Sequence, residues 1–164
     1  MWLRPYAADD LDHLAAMYAD AEVTAYTRLG RQDRAQTAAT LDEYLATWRD
    51  HGWGMRAMWR KPDGAYLGEC GLFLHPRGGS ALRYALMRPF WGAGYVAEAV
   101  RATIDDAFTR AKLPRLLSFV QRRNLASLRV MQRLGWEAVQ HDRDAEVAQF
   151  AVTRAQWLAR ATAA

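Results

Sequence analysis

The stretch Leu82-Arg83-Tyr84-Ala85-Leu86-Met87-Arg88-Pro89-Phe90-Trp91-Gly92-Ala93-Gly94-Tyr95-Val96-Ala97-Glu98-Ala99 constrains this chain more than any other part of it. Residues Ala81 to Met87 read as a strand, a loop with two glycines follows, and a helix is predicted over Gly92 to Arg110. In that helix Val96, Val100, Ile104 and Phe108 recur every four residues. The first N–H groups of such a helix lack internal partners and carry the positive end of its dipole. Glycines let the backbone come close to a ligand. The turn is therefore an anion site suited to a phosphate or pyrophosphate. Glu98, within the first two helical turns, favours the dipole.

Around this unit the pattern is strand-rich. Trp2 to Tyr6 reads as a short strand, and Asp9-Asp10 opens a helix with Leu11, Leu14 and Tyr18 at helical spacing. Residues Ala21 to Arg31 read as irregular. A second helix is predicted over Asp33 to Asp50, with Leu41, Tyr44, Leu45 and Trp48 on one face. Trp53 to Arg60 and Ala65 to Leu74 read as a hairpin about Pro62-Asp63-Gly64. After the glycine loop come a strand at Leu116 to Val120 and a helix at Leu125 to Leu134, closed by Gly135. Two last strands, Trp136 to His141 and Val147 to Thr153, precede a helical tail. Antiparallel strands followed by one right-handed strand–helix–strand crossover define an α+β fold, a mixed sheet flanked by helices.

Bulk properties narrow the function. The 164 residues are expected to form one domain, 1–164, and 51% are apolar, enough for a core. No apolar run approaches bilayer length and the N-terminus has no apolar signal core, so the expectation is a cytoplasmic protein with no membrane partner. The one cysteine, Cys70, lies in an apolar stretch and reads as a small buried hydrophobe. The net charge of +4 is carried almost wholly by arginine and suits an anionic ligand. Without a basic run or aromatic-basic stripe, no nucleic acid is expected as partner. No metal is expected.

Gly92-x-Gly94-x-x-Ala97 formally matches the dinucleotide fingerprint, which normally opens a doubly wound domain. Here a long antiparallel pattern precedes it, the next strand is followed by Gln121 and not by an acid for a ribose, and a single crossover follows. A phosphate-bearing cofactor of another kind fits better; a tight turn without a ligand is the bland alternative.

Three stretches resemble the GNAT N-acetyltransferases, in the RimJ/RimL-like branch of ribosomal-protein alanine acetyltransferases. They are Gly68-Glu69-Cys70-Gly71-Leu72, the run Pro89 to Ala99, and the run Asn124 to Trp136, and their order and spacing agree from about Trp53 to Trp157. The resemblance implies a mostly antiparallel sheet splayed between the Ala81–Met87 and Leu116–Val120 strands, with acetyl-CoA in the wedge. Its pantetheine would pair with backbone at Leu86 and Met87. Its pyrophosphate would meet the amides of Gly92, Ala93, Gly94, Tyr95 and Val96. Asn124 matches the family asparagine that bonds the cofactor arm, and Trp91 would shield the cofactor or cover the sheet edge. The family often has tyrosine, the usual thiolate-protonating acid, where Met131 stands. Ser127, one turn earlier on nearly the same face, is the substitute donor, with capping or packing as its structural alternative.

Acetyl transfer needs a neutral amine, donors for the tetrahedral oxyanion and a proton for the thiolate. Backbone N–H near Leu86 or Met87 is the expected oxyanion donor. Glu69, on a strand expected near the cleft, is the catalytic candidate for the base, and His75, Glu22 and His141 are others. The expected partner is a small-molecule or peptide amine, and a homodimer is expected. A non-catalytic acyl-CoA-binding module is the alternative. Trp2, Trp48, Trp59 and Trp157 are expected in the core.

Overall fold

The computed structural model describes residues 1–76, 78–139 and 146–161. Its strands are β1 (Trp2–Pro5), β2 (Met55–Trp59), β3 (Tyr66–Leu74), β4 (Ser80–Leu86), β5 (Arg115–Gln121), β6 (Glu137–Val139) and β7 (Val147–Thr153). Its helices are α1 (Leu11–Ala19), α2 (Ala21–Thr24), α3 (Arg34–His51), α4 (Tyr95–Thr109), α5 (Leu125–Arg133) and α6 (Arg154–Ala161). The strands form one seven-stranded sheet in the order β1-β2-β3-β4-β5-β7-β6. Every pairing is antiparallel except β4 with β5, the two strands joined by the α4 crossover.

Each face of the sheet has its own core. On one, Val100, Ile104 and Phe108 of α4 pack with Leu82, Leu86, Leu116, Met131 of α5 and Trp157 of α6. Burying side chains of this size contributes about 1.5–3 kcal/mol each. On the other, Leu14, Met17 and Tyr18 of α1 and Leu41 and Tyr44 of α3 pack with Tyr6, Met55, Ala57 and Tyr66. Helix α3 starts where Asp33 accepts from Gln36 N at 2.8 Å in a capping box, and ends at Gly52. The segment expected to be irregular contains the one-turn α2, nucleated by Asp20 accepting from Glu22 N at 2.9 Å. Trp2 is a correction to the expected core: it lies on the edge strand β1 and is largely exposed, whereas Trp157 is buried.

A bulge interrupts the pairing of β2 with β3. Met58 pairs with Gly68 and Trp59 with Tyr66, so Leu67 has no opposite number. The extra residue resets the alternation. Tyr66 and Glu69, three apart, both turn to the α1/α3 face, while Leu67 enters the α4 core. Gly68 adopts φ 143°, and a Cβ there would stand 2.2 Å from Ala85 O, so this position excludes a side chain.

Candidate active site

The sheet parts in its middle. β4 pairs with β5 only at Ser80, Ala81 and Leu82, opposite Leu116, Leu117 and Ser118. β4 continues to Leu86 on β3, and β5 continues to Gln121 on β7, so the two strands diverge and leave a wedge.

The peptides at the end of β4 have defined directions. Met87 N–H donates to Leu67 O at 2.8 Å, toward β3. In a planar trans peptide the carbonyl points opposite to the N–H, and no cis bond is present among the described residues, so Leu86 O faces the wedge. One peptide earlier, Ala85 O lies against Gly68 on the β3 side, which turns the Leu86 N–H into the wedge. Leu86 therefore offers one donor and one acceptor there. This corrects the expectation for Met87, whose N–H is already used by β3.

A single turn at Arg88–Phe90 leads out of β4 and brings Trp91 back over it. The indole Nε1–H donates to Leu86 O at 2.6 Å, and the residue is 51% exposed. Gly92, Ala93 and Gly94 are exposed, and Gly94 caps α4 at φ 83°. The α4 ladder begins with Ala97 and Glu98 donating to Gly94 O at 3.1 and 3.4 Å. The N–H groups of Tyr95 and Val96, and of the loop before them, lie outside that ladder.

Across the wedge stands α5. Asn124 Oδ1 accepts from Ser127 N at 3.1 Å, so Asn124 is the N-cap and the Ser127 hydroxyl is not needed for capping. Met131 is fully buried in the core. Sequence reasoning missed Tyr84 of β4. Its buried hydroxyl makes no hydrogen bond of good geometry among the described residues, yet the Ser127 side chain is its neighbour. Burial pushes this phenol up to about 12, with Ser127 drawing it down and Cys70 adding to the rise. It holds its proton at neutral pH. Cys70 is itself buried and pushed up to about 12, first by burial, beside Thr103 at 3.4 Å.

Glu69 sits one strand from the wedge, opposite Ala85 in the stretch of β4 that β5 leaves unpaired, but its side chain is enclosed. No part of it reaches solvent. Tyr18 Oη donates to its Oε1 at 2.9 Å and Tyr44 Oη to its Oε2 at 3.2 Å. Arg83 Nε stands 3.3 Å from Oε1, and the Arg83 guanidinium also donates to Tyr44 Oη. Burial, aided by the Glu69 charge, pushes the Tyr18 phenol far above its ordinary value. Glu22 is exposed and accepts from Arg88 Nη1 at 2.7 Å, at the start of the glycine loop. His75 stacks on Phe119 with ring centroids 4.1 Å apart and 16° between planes. His75 follows Leu74, which pairs with Ser80, so its backbone lies at the closed end of the wedge and its ring reaches Phe119, just past the last β4–β5 pair. His141 lies outside the described residues.

Residues 1–137 match the model of the acetyltransferase (GNAT) domain. The chain is 27% identical to the uncharacterized N-acetyltransferase p20 of Bacillus licheniformis over 138 residues, covering 82% of this chain and 78% of that protein. It is 26% identical to the protein YkkB of Bacillus subtilis over 122 residues, 73% of this chain and 70% of YkkB. Among solved structures, an acetyltransferase from Agrobacterium tumefaciens superposes with TM-score 0.79 at 27% identity, over 92% of this chain and 88% of that one. The Vibrio cholerae spermidine N-acetyltransferase, in complex with CoA and spermine, shares the fold with TM-score 0.80 at 12% identity, over 96% of this chain and 97% of that one. The wedge, the glycine loop and these similarities define an acyltransferase. The chain belongs to the GNAT acetyltransferase family, whose members take the acetyl group from acetyl-CoA. No described helix is long and apolar enough to cross a membrane.

Proposed function

We propose that the chain acts as a single RimJ/RimL-like N-acetyltransferase domain in the cytoplasm, moving the acetyl group of acetyl-CoA directly to a primary amine. The wedge-facing peptide of Leu86 carries this reading. Its N–H points where the carbonyl oxygen of a thioester in the wedge would become an oxyanion, and a fixed backbone donor is the kind of group that stabilises such charge. The pyrophosphate would meet the N–H groups of Gly92, Ala93, Gly94, Tyr95 and Val96, and the Asn124 side-chain amide would bond the arm. The Ser127 hydroxyl, backed by the protonated Tyr84, would give the departing thiolate its proton.

His75 is the candidate base left once the oxygens of Glu69 are enclosed. It lies at the closed end of the wedge, six β4 residues from Leu86, so it would act through a water relay. An imidazole is a weak base toward a lysine of pKa ~10.4 but matches an α-amine of ~7.7–8, which favours an N-terminal or similarly low-pKa amine. Free-thiol release from acetyl-CoA with a panel of small amines and short peptides, run beside calorimetric binding of coenzyme A, tests the reading. Turnover with α-amine acceptors is the expected result. Binding without turnover on any amine would leave only an acyl-CoA-binding module.

A further inference from the structure

The Trp91 indole holds a position that the wedge reading gives to the ligand. Leu86 O is the acceptor at the end of β4 that faces the wedge, and an extended amide chain lying along β4 would donate to it. That acceptor is already taken: Trp91 Nε1–H donates to it at 2.6 Å. Indole is a donor only, so it matches the carbonyl and leaves the neighbouring Leu86 N–H untouched. The residue is half exposed and lies in the loop, outside both cores, so swinging its ring away disturbs little packing.

We propose that Trp91 is a stand-in for the amide of the cofactor arm: its indole satisfies Leu86 O in the free protein and releases it when acetyl-CoA enters. This rests on the reading of the wedge as the cofactor site. The free protein thereby keeps the acceptor bonded, and the ligand meets a competitor at one point of its length. Apparent affinity is the intrinsic affinity reduced by the fraction of molecules in which the acceptor is open. Removing the competing donor while keeping an aromatic ring raises that fraction.

Calorimetric titration of W91F with coenzyme A is expected to give binding about 2- to 10-fold tighter than wild type, the range of one net hydrogen bond. The second readout is the Trp91 indole N–H resonance in the unmutated protein, assigned through contacts to its own backbone amide. It is expected in a strongly hydrogen-bonded position in the free protein and to move toward the solvent-exposed position at saturating coenzyme A. This readout stands even if W91F fails to fold. Unchanged or weaker binding by W91F, or a resonance that does not move on saturation, would make Trp91 a fixed wall of the site and overturn the inference alone. No binding of coenzyme A by the wild type would overturn the wedge reading and this inference together.

Discussion

Glu69 and Arg83 meet across β3 and β4 as diagonal neighbours, Nε to Oε1 at 3.3 Å, under a lid of Tyr18 and Tyr44. Removing one partner of such a buried pair leaves an uncompensated charge and costs about 3–5 kcal/mol. Glu69→Gln is expected to lower unfolding free energy by an amount in that range, read by urea denaturation. The pair Glu69→Leu with Arg83→Leu is expected to recover most of it. An E69Q protein of wild-type stability with a collapsed rate would instead make Glu69 a catalytic base.

Ser127 stands free of capping duty because Asn124 caps α5. Ser127→Ala is expected to lower kcat by at least ~10-fold with little change in stability or acetyl-CoA affinity, since general acid catalysis contributes ~10²–10⁴-fold and water substitutes in part. Tyr84→Phe, which removes the proton behind the serine, should lower kcat by a smaller factor. Steady-state kinetics on a confirmed acceptor reads both, and a near wild-type rate for S127A removes the serine from the mechanism.

A Cβ at Gly94 would meet open space, so a side chain there would project beside the loop that is proposed to hold the pyrophosphate. Gly94→Glu is expected to abolish coenzyme A binding in calorimetry while circular dichroism still reports a folded protein. The left-handed φ adds strain of roughly 1–2 kcal/mol, which a domain of this size withstands. Unaltered affinity in the folded variant would place the pyrophosphate elsewhere.

Arg4 grips Asp10 through two bonds of 2.6 and 2.7 Å, and Ala7 N–H adds a third at 2.8 Å. Burial pushes this carboxyl up, but the Arg4 guanidinium and Ala7 N–H outweigh it and hold the group below its ordinary value. A depressed folded pKa stabilises above the unfolded value of ~3.9 and is lost as pH falls through the folded one. Asp10→Asn should therefore cost about 1–3 kcal/mol at pH 7, with the gap to wild type closing below pH ~4. A gap independent of pH would show that Asp10 contributes by shape and not by charge.

The local pattern carried most of the fold. The period-four run from Val96 to Phe108 announced α4, which starts at Tyr95, and Val147–Thr153 is a strand with the boundaries its alternation implies. Pro62-Asp63-Gly64 placed the β2–β3 hairpin. What stayed hidden depends on register. Glu69 and Arg83 are fourteen positions apart, by their numbers, and meet only because β3 and β4 pair as they do. The bulge at Leu67 leaves one mark, the strand glycine Gly68 beside it, and that alone does not tell which face Glu69 turns to. Tyr84 reads as an ordinary strand aromatic until α5 is laid across it, and the Trp91 contact needs the fold-back of the Arg88–Phe90 turn.

An ordinary open sheet has two edges, but this one has four. Besides β1 and β6 at its rims, β4 beyond Leu82 and β5 beyond Ser118 present unpaired backbone to each other in the sheet's interior. An unpaired strand edge templates any extended chain that reaches it, including a segment of a neighbouring molecule. The ligand-free protein is thus expected to self-associate more readily at high concentration than the liganded one. A cofactor arm bound as proposed, as an extra strand between β4 and β5, would act as a stopper against aggregation, and light scattering with and without coenzyme A would register that second benefit of substrate.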